Sequence, residues 1–271
     1  MKTFPLVALT LLLLTCAQSA PEPAPLSTLH RLTLPEIVDW QRTNGLDVSE
    51  AEFVSLRDEP IGATEQAWLD GGVAGFDFYS DGERIRKVLV RPQNYNDNII
   101  RILRSHADYH PAQAGFELTD EYCDSIPATI AGVIERDQGV RTGDLPGSMM
   151  DVDAENQAIM VSIFERCPNA FAEMSNKQVS DLWFVAQHSD AELMSYYYPW
   201  FYRAVRDGRI RESQFALMID RLLMYHDYPQ EYGSQISNGA LYPVRDSARL
   251  DELRAGIGLG PIAEYLARFD L

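Results

Sequence analysis

The sequence is poor in cysteine and in basic residues, and each shortage excludes classes of protein. Only 3 of the 271 residues are cysteine, and 23 Lys and Arg stand against 40 Asp and Glu, for a formal net charge of −17. Because nucleic acids and anionic membrane surfaces repel so acidic a chain, we expect neither as a partner. The cysteines and histidines also lack the spacing of a zinc site, so the sequence predicts no metal and no cofactor.

The familiar motifs of catalysis are absent as well. The chain has no Gly-x-Ser-x-Gly elbow, no His-Glu-x-x-His pair, no P-loop and no Gly-x-Gly-x-x-Gly turn. These absences argue against a Ser-His-Asp hydrolase, a zinc protease of that type and a nucleotide-binding enzyme. Hydrophobic residues make up 46% of the chain, so a sizeable core is expected. Candidate functional residues must therefore be identified from other patterns, such as polar residues within apolar helices.

One long apolar run stands at the start of the chain. Lys2 precedes an apolar stretch over residues 4–14, and small residues follow over 16–20. A charged start, a short apolar core and a small-residue exit predict a signal peptide over residues 1–19, because the core is too short for a lasting membrane span. The sequence therefore predicts an exported protein, periplasmic or secreted, whose mature chain starts with a linker over residues 20–34.

The processing of this leader has two interpretations. Cleavage after Ser19 uses small residues at the expected positions and releases the chain. In the alternative, Cys16 is lipidated, because residues 13–16 resemble a bacterial lipobox. The Pro-rich stretch over residues 21–25 would then be a tether, and the N-terminus would be the protein's contact with the membrane.

The mature chain keeps Cys123 and Cys167, and it keeps Cys16 only if that residue is lipidated. Cys123 and Cys167 can pair as a disulfide in an oxidising compartment. Two buried thiols are the alternative, since sequence does not supply the geometry that a disulfide requires.

Most of the remaining sequence shows the period of α-helices. We predict helices over residues 35–41, 48–56, 65–70, 96–106, 122–138, 152–166, 178–188, 191–207, 211–226, 247–256 and 261–268. Between residues 75 and 91, two alternating runs flank a Ser-Asp-Gly-Glu turn, which predicts a β-hairpin. The expected fold class is mainly α: a multi-helix C-terminal domain over residues 121–271, and an α-rich N-terminal region over residues 35–120 that carries the hairpin.

Two histidines in the first half have the spacing of a metal pair. His106 and His110 are four residues apart, which places them on one face if both are helical. No Glu lies between them and Pro111 follows at once, so we interpret them as residues of an exposed helix end.

Polar residues inside apolar helices are the most informative feature of the second half. The helix predicted over residues 211–226 is apolar on more than one face, so Asp220 and Arg221 fall where a lone charge is costly. Adjacent helical residues diverge by about 100°, so each should pair with another element. Gln187 and His188 follow Trp183 and Phe184 by four residues each, so both are expected beside rings that face the core. The aromatic run over residues 196–202 is interpreted as core, with stacking on sugars as the alternative.

Further polar residues recur in a definite order along this half. The set is Asp137-Gln138-x-x-Arg141, Asp153-x-x-Asn156, Gln187-His188, Asp220-Arg221, Gln230-x-Tyr232-Gly233-Ser234-Gln235, Pro243, Asp246 and Gly258-Leu259-x-Pro261. In this order it resembles the bacterial domain of unknown function 6624 over residues 122–270. The resemblance implies a helical domain and supplies no activity. The sequence departs from the family pattern at Ser234, where Thr is usual, and at Cys167-Pro168, where Gly-Trp-Pro is common.

An enzyme is the first hypothesis for these residues. His188 would be the general acid or base, Asp220 or Asp137 would orient it or act as the base, and Arg221 or Arg141 would hold an anion. Hydrolysis is the default reaction class. This hypothesis requires an open cleft at His188, Asp220 and Arg221.

A binding site is the second hypothesis. Gln, Tyr and Arg side chains that converge with an Asp are typical of a polar pocket. The candidate binding residues are Asp137, Gln138, Arg141, Gln187, Gln230, Tyr232, Gly233 and Gln235. The partner would be a small polar ligand or a protein.

A buried packing network is the third hypothesis. Asp137 with Arg221, or Arg141 with Asp220, would satisfy the charges inside the helices without any ligand. Such a network would be closed to solvent, which separates it from the other two hypotheses.

Overall fold

The computed structural model describes residues 24–271, so the predicted signal peptide over residues 1–19 and Cys16 lie outside the described residues. The α-helices are α1 Leu34–Asn44, α2 Ala63–Asp70, α3 Tyr95–Ser105, α4 Ile126–Thr142, α5 Met149–Arg166, α6 Ala170–Glu173, α7 Asn176–Gln187, α8 Ala191–Arg206, α9 Glu212–Tyr225, α10 Leu250–Gly256 and α11 Ile262–Leu266. The strands are β1 His30–Arg31, β2 Glu52–Val54, β3 Ala74–Ser80, β4 Ile85–Pro92, β5 Ile236–Ser237 and β6 Ala240–Leu241. The mainly α fold class is confirmed.

The predicted β-hairpin is also confirmed and forms the centre of a small sheet. Strands β3 and β4 pair antiparallel, with Phe76 opposite Val90 and Phe78 opposite Val88. The strand order is β1-β3-β4-β2, and β2 runs parallel to β4. Phe78 and Val88 turn toward α1, where Ile37 belongs to the same small hydrophobic core.

The helix predicted over residues 48–56 is wrong. Its expected N-cap, Asp47, accepts the Ser49 N–H in a local turn, and the chain then continues as β2. Val54 is completely buried beside β4, opposite Leu89. The backbone of β4 supplies the hydrogen-bond partners of this segment, and a capping pattern in the sequence does not reveal them. Pairing with β4 therefore overrides the local helix propensity.

The larger core lies among the helices of the second half. On α8, Tyr197, Tyr198 and Phe201 have no exposed surface. This confirms the interpretation of the aromatic run as mainly core. Helix α8 packs against α7 and α9, and also against α1 and α3 from the N-terminal region. Within the described part of the chain, no helix is long and apolar enough to cross a membrane.

The two histidines of the first half do not share a helix face, because α3 ends at Ser105. The Nε2 atoms of His106 and His226 lie 3.2 Å apart, so His106 is half-buried against the end of α9. His110 remains exposed, and its Nε2 lies 3.5 Å from the Tyr196 hydroxyl. The interpretation of both as an exposed helix end is therefore wrong for His106.

Helices α4, α5 and α7 pack against one another, and α9 packs against α7. The first two form an antiparallel pair whose outer ends are joined by a disulfide between Cys123 and Cys167. Their inner ends meet near the end of α7. Polar residues that are far apart in sequence are thereby brought to one place.

Candidate functional site

Four ionisable side chains meet at this place, and we call them the Arg141 cluster: Asp137 and Arg141 of α4, Asp153 of α5, and His188 directly after α7. One helical turn places Asp137 and Arg141 on the same face. Arg141 Nε lies 3.1 Å from Asp137 Oδ1, and its Nη2 lies 2.5 Å from Asp153 Oδ1. The same Nη2 is 2.8 Å from His188 Nδ1. Arg141 is therefore the centre of the cluster.

The contact with Arg141 determines the tautomer of a neutral His188 ring. Because a guanidinium only donates hydrogen bonds, His188 Nδ1 accepts, and a neutral ring then carries its proton on Nε2. This Nε2 lies 3.1 Å from the side-chain nitrogen of Gln187, whose Oε1 is buried without a partner among the described residues. A half-turn of the Gln187 amide gives both groups a partner, with Nε2–H donating to Oε1.

Asp137 is the buried base of the cluster. Burial acts to raise the pKa of its carboxyl, but the neighbouring His188 ring, the charge of Arg141 and the hydrogen bond from Gln138 together hold that pKa below its usual value. The Gln138 amide donates to Asp137 Oδ2 at 2.5 Å. Asp137 is therefore ionised at neutral pH despite its burial.

The rest of the cluster is partly open to solvent. The side chain of Asp137 is 1% exposed, whereas those of His188, Asp153 and Arg141 are 17%, 23% and 27% exposed. A purely structural network would be closed on all sides. The Arg141 cluster instead has a buried base and an accessible rim.

The cluster also contains the donor set of a metal site. One ligand atom each from Asp137, Asp153 and His188 lies within 4.8 Å of the others, a combination that divalent cations accept. The guanidinium of Arg141 contacts all three side chains and supplies the positive charge between them. We therefore regard Arg141 as the internal cation of this cluster.

Asp220 lies apart from the cluster and has a different role. It has no exposed surface. Its Oδ1 accepts the backbone N–H groups of Glu231 and Tyr232 at 2.8 and 3.0 Å, and its Oδ2 accepts that of Ser234 at 2.9 Å. Burial raises its pKa, and these hydrogen bonds act against that rise. The geometry leaves no room for substrate contact, so we assign Asp220 the role of an anchor for the loop.

The loop that Asp220 holds is itself closed by Gln230. The Gln230 amide donates to the carbonyls of Gln235 and Tyr242 at 3.0 and 2.7 Å, and its Oε1 accepts the Gln235 N–H at 2.9 Å. Gly233 has φ +66°, and a Cβ there would lie 3.1 Å from Ile262 Cδ1. The turn thus requires glycine, as expected. Tyr232 is 8% exposed, and its ring packs edge-on against Tyr95 of α3 rather than facing a ligand.

Arg221 has neutral hydrogen-bond partners, whereas Arg141 pairs with two carboxylates. Its Nε donates to Gln235 Oε1 at 3.2 Å, and its Nη1 donates to the Gln187 backbone carbonyl. No carboxylate among the described residues lies within 4.0 Å of it. Burial lowers the pKa of its guanidinium, and the positive charge of Arg141 acts in the same direction. Neither ion pair of the packing hypothesis, Asp137 with Arg221 or Arg141 with Asp220, is present.

The candidate site residues thus fall into two groups. The first group contains Asp137, Arg141 and His188 of the Arg141 cluster and the residues that border it. These bordering residues are Gln138 and Gln187, which bond to the cluster, and Arg221 and Gln235, which are linked to Gln187 by hydrogen bonds. The loop anchor contains Asp220, Gln230, Tyr232 and Gly233. Sequence reasoning did not select Asp153 as a site residue, although the spacing Asp153-x-x-Asn156 placed both on one helix face. Asn156 is buried and bonds Arg136 and the Val133 carbonyl.

The first prediction concerns the loop anchor. Replacing Asp220 by Asn should lower the free energy of unfolding by about 2–4 kcal/mol. The amide retains one oxygen for Glu231 and Tyr232 but turns an NH₂ group toward the Ser234 N–H, so two donors face each other. Denaturant unfolding measures the change.

Asp207→Asn is the matched control for this substitution, because Asp207 is exposed at the end of α8. It should change the free energy of unfolding by less than about 0.5 kcal/mol. An Asp220→Asn protein that unfolds at the same denaturant concentration as the parent would show that the loop does not depend on this carboxylate.

The second prediction concerns Arg141 as the internal cation. Arg141→Ala leaves two carboxylates and a neutral imidazole around the position of the guanidinium, and zinc favours such nitrogen and oxygen ligands. Zinc should therefore raise the melting temperature of Arg141→Ala but not that of the parent. The double variant Arg141→Ala/His188→Ala should lose the effect. Equal stabilisation of the parent by zinc would contradict the assignment.

Comparison with known proteins places these residues in one family. The model of the family of unknown function DUF6624 matches residues 130–270, more than half of the chain. No curated protein and no solved structure matches the chain significantly. The Arg141 cluster, Arg221 and the loop over residues 230–235 all lie within the matched part. The chain therefore belongs to the family of unknown function DUF6624, as the order of its polar motifs predicted.

Proposed function

We propose that this chain is an exported protein whose family domain binds a small polar ligand through a negatively charged group of that ligand. The observation that carries the proposal is Arg221, a half-buried guanidinium whose partners are the neutral oxygens of Gln235 and Gln187. A charge that has lost much of its water and has no counter-ion gains most from an added anion. The ligand's anionic group would pair with the free face of Arg221.

The border of the Arg141 cluster favours the neutral polar groups of the same ligand. Asp137 and Asp153 outnumber Arg141, so an anion of the ligand gains little there. Gln138 has an exposed side chain, and His188 and Asp153 are partly accessible. These groups can exchange hydrogen bonds with hydroxyls or amides of a ligand. The combination fits a small hydroxylated anion.

The alternative of a hydrolase has less support. Both ring nitrogens of His188 already have partners, Arg141 and Gln187. Asp220, the proposed orienting carboxylate, is buried under the loop that it holds. Asp137 is nearer, with Oδ1 at 3.5 Å from His188 Nδ1, but Arg141 shares that nitrogen. The geometry therefore favours binding over general acid–base chemistry.

The third prediction tests the anion. Glucuronate and inorganic phosphate should each raise the melting temperature, and at about ten times the dissociation constant the rise should be about 2–4 °C. Arg221→Gln should abolish the rise because it removes the charge while keeping an amide donor. Arg104→Gln, an exposed arginine in the last turn of α3, is the control and should retain it. Equal rises in the parent and in Arg221→Gln would refute the assignment.

Export is the other part of the proposal, and two features support it. The first is the predicted leader over residues 1–19. The second is the disulfide between Cys123 and Cys167, because such bonds persist mainly in oxidising compartments.

The fourth prediction uses the intact mass of the chain expressed in a bacterium from its own first residue. We expect the chain in the exported fraction without residues 1–19 and lighter by two hydrogens than its reduced form. A mass that begins at Cys16 and includes lipid would replace secretion by membrane anchoring. A full-length chain in the cytoplasmic fraction would contradict export.

A further inference from the structure

A polar cavity lies between the small sheet and α8, away from the Arg141 cluster. Its volume is about 220 Å³, and its walls include Arg31, Arg91, Arg206, Asn96, Leu34 and Ile100. All of these except Arg206 precede the family match, which begins at residue 130. The cavity therefore concerns the N-terminal region, for which the family supplies no role.

The polar wall of this cavity is a fixed frame around Arg91. Arg91 Nε lies 2.9 Å from Asp77 Oδ1, and its Nη1 lies 2.8 Å from Asp97 Oδ2. The Asp97 carboxylate also accepts the N–H groups of Phe76 and Asn94, so it ties the start of α3 to β3. These bonds hold the guanidinium in one orientation, with 14% of its side chain exposed.

Gly75 makes this frame possible. A Cβ at this position would lie 2.3 Å from Arg91 Nη1 and 2.4 Å from Asp97 Oδ2. Any larger residue would displace the pair. The close approach of a backbone to a buried ion pair therefore accounts for glycine near the start of β3.

The charges around the cavity do not cancel. Arg31 Nη2 lies 2.9 Å from Asp77 Oδ2, so one carboxylate serves both Arg31 and Arg91. Arg206 lines the cavity and makes no ion pair or hydrogen bond within the described part of the chain. Three arginines and two carboxylates leave one positive charge. Although the chain as a whole is acidic, this excess positive charge attracts an anion locally.

The cavity is also lined by apolar side chains, those of Leu34, Ile37, Phe76 and Ile100. A bare inorganic ion would leave this surface in contact with water, whereas an organic anion with a short apolar chain would cover it. The cavity volume is about 220 Å³. The cavity therefore accommodates a molecule of the size of a short-chain carboxylate.

We propose that the cavity between the sheet and α8 binds a small monocarboxylate with a short apolar chain, whose carboxylate pairs with Arg206 and Arg31 while the chain lies on Leu34 and Ile100. This site is separate from the one at Arg221 and does not depend on it. It gives the N-terminal region a binding role and places the ligand against a helix of the family domain.

Calorimetric titration with hexanoate and hexanol tests the proposal on the purified protein. The two probes share the apolar chain, and hexanoate alone carries the charge. We expect hexanoate to bind, hexanol to bind about tenfold more weakly or not at all, and Arg206→Gln to weaken hexanoate about tenfold. Arg206 is exposed at the end of α8, so its replacement should leave the fold unchanged.

Arg203→Gln is the matched control, because Arg203 lies on the same helix, is exposed and pairs with Asp39 away from the cavity. It should bind hexanoate like the parent. Binding should also persist in Arg221→Gln, which separates this site from the one proposed above. The proposal is overturned if hexanoate does not bind, if hexanol binds equally well, or if Arg206→Gln and Arg203→Gln behave alike.

Discussion

The carboxylate of Asp220 is the interaction on which the second half of the structure depends. A buried charge is tolerated only when hydrogen bonds replace its water, and Asp220 obtains them from the backbone of the loop over residues 230–235. The loop is thereby fixed against α9. Gln235 then meets Arg221, and Arg221 meets the carbonyl of Gln187. One buried anion thus sets the position of a cation that lies closer to the surface.

The two clusters of the family domain differ in how completely their groups are satisfied. Asp220 and Gln230 have their hydrogen-bonding groups occupied by the loop and no route to solvent, which is the signature of a packing network. The Arg141 cluster and Arg221 retain exposed surface, and Arg221 lacks a counter-ion. Only the second kind of group leaves free energy to be gained from binding a ligand.

The sequence predicted the secondary-structure elements and the polar site residues better than it predicted the hydrogen-bond partners of those residues. The helices and the hairpin follow from periodicity, and the residues of the polar order meet in two places. Asp220 was expected to pair with another element and does so, but its partners are backbone N–H groups, which residue identity does not reveal. The helix expected over residues 48–56 failed for a related reason, since the edge of β4 decides that segment. Asp153 was visible in the motif, yet only the packing of α4 against α5 shows that it meets Arg141.

The bond between Cys123 and Cys167 closes a covalent ring of chain around α4 and α5. Both carboxylates and the arginine of the Arg141 cluster lie inside that ring. The connection between the two helices, residues 143–148, is exposed along its whole length and is the natural point of attack for a protease. A cut there opens the ring without releasing either helix, because the bond at the far end still joins them. The cluster can therefore outlast a break in the chain that holds it.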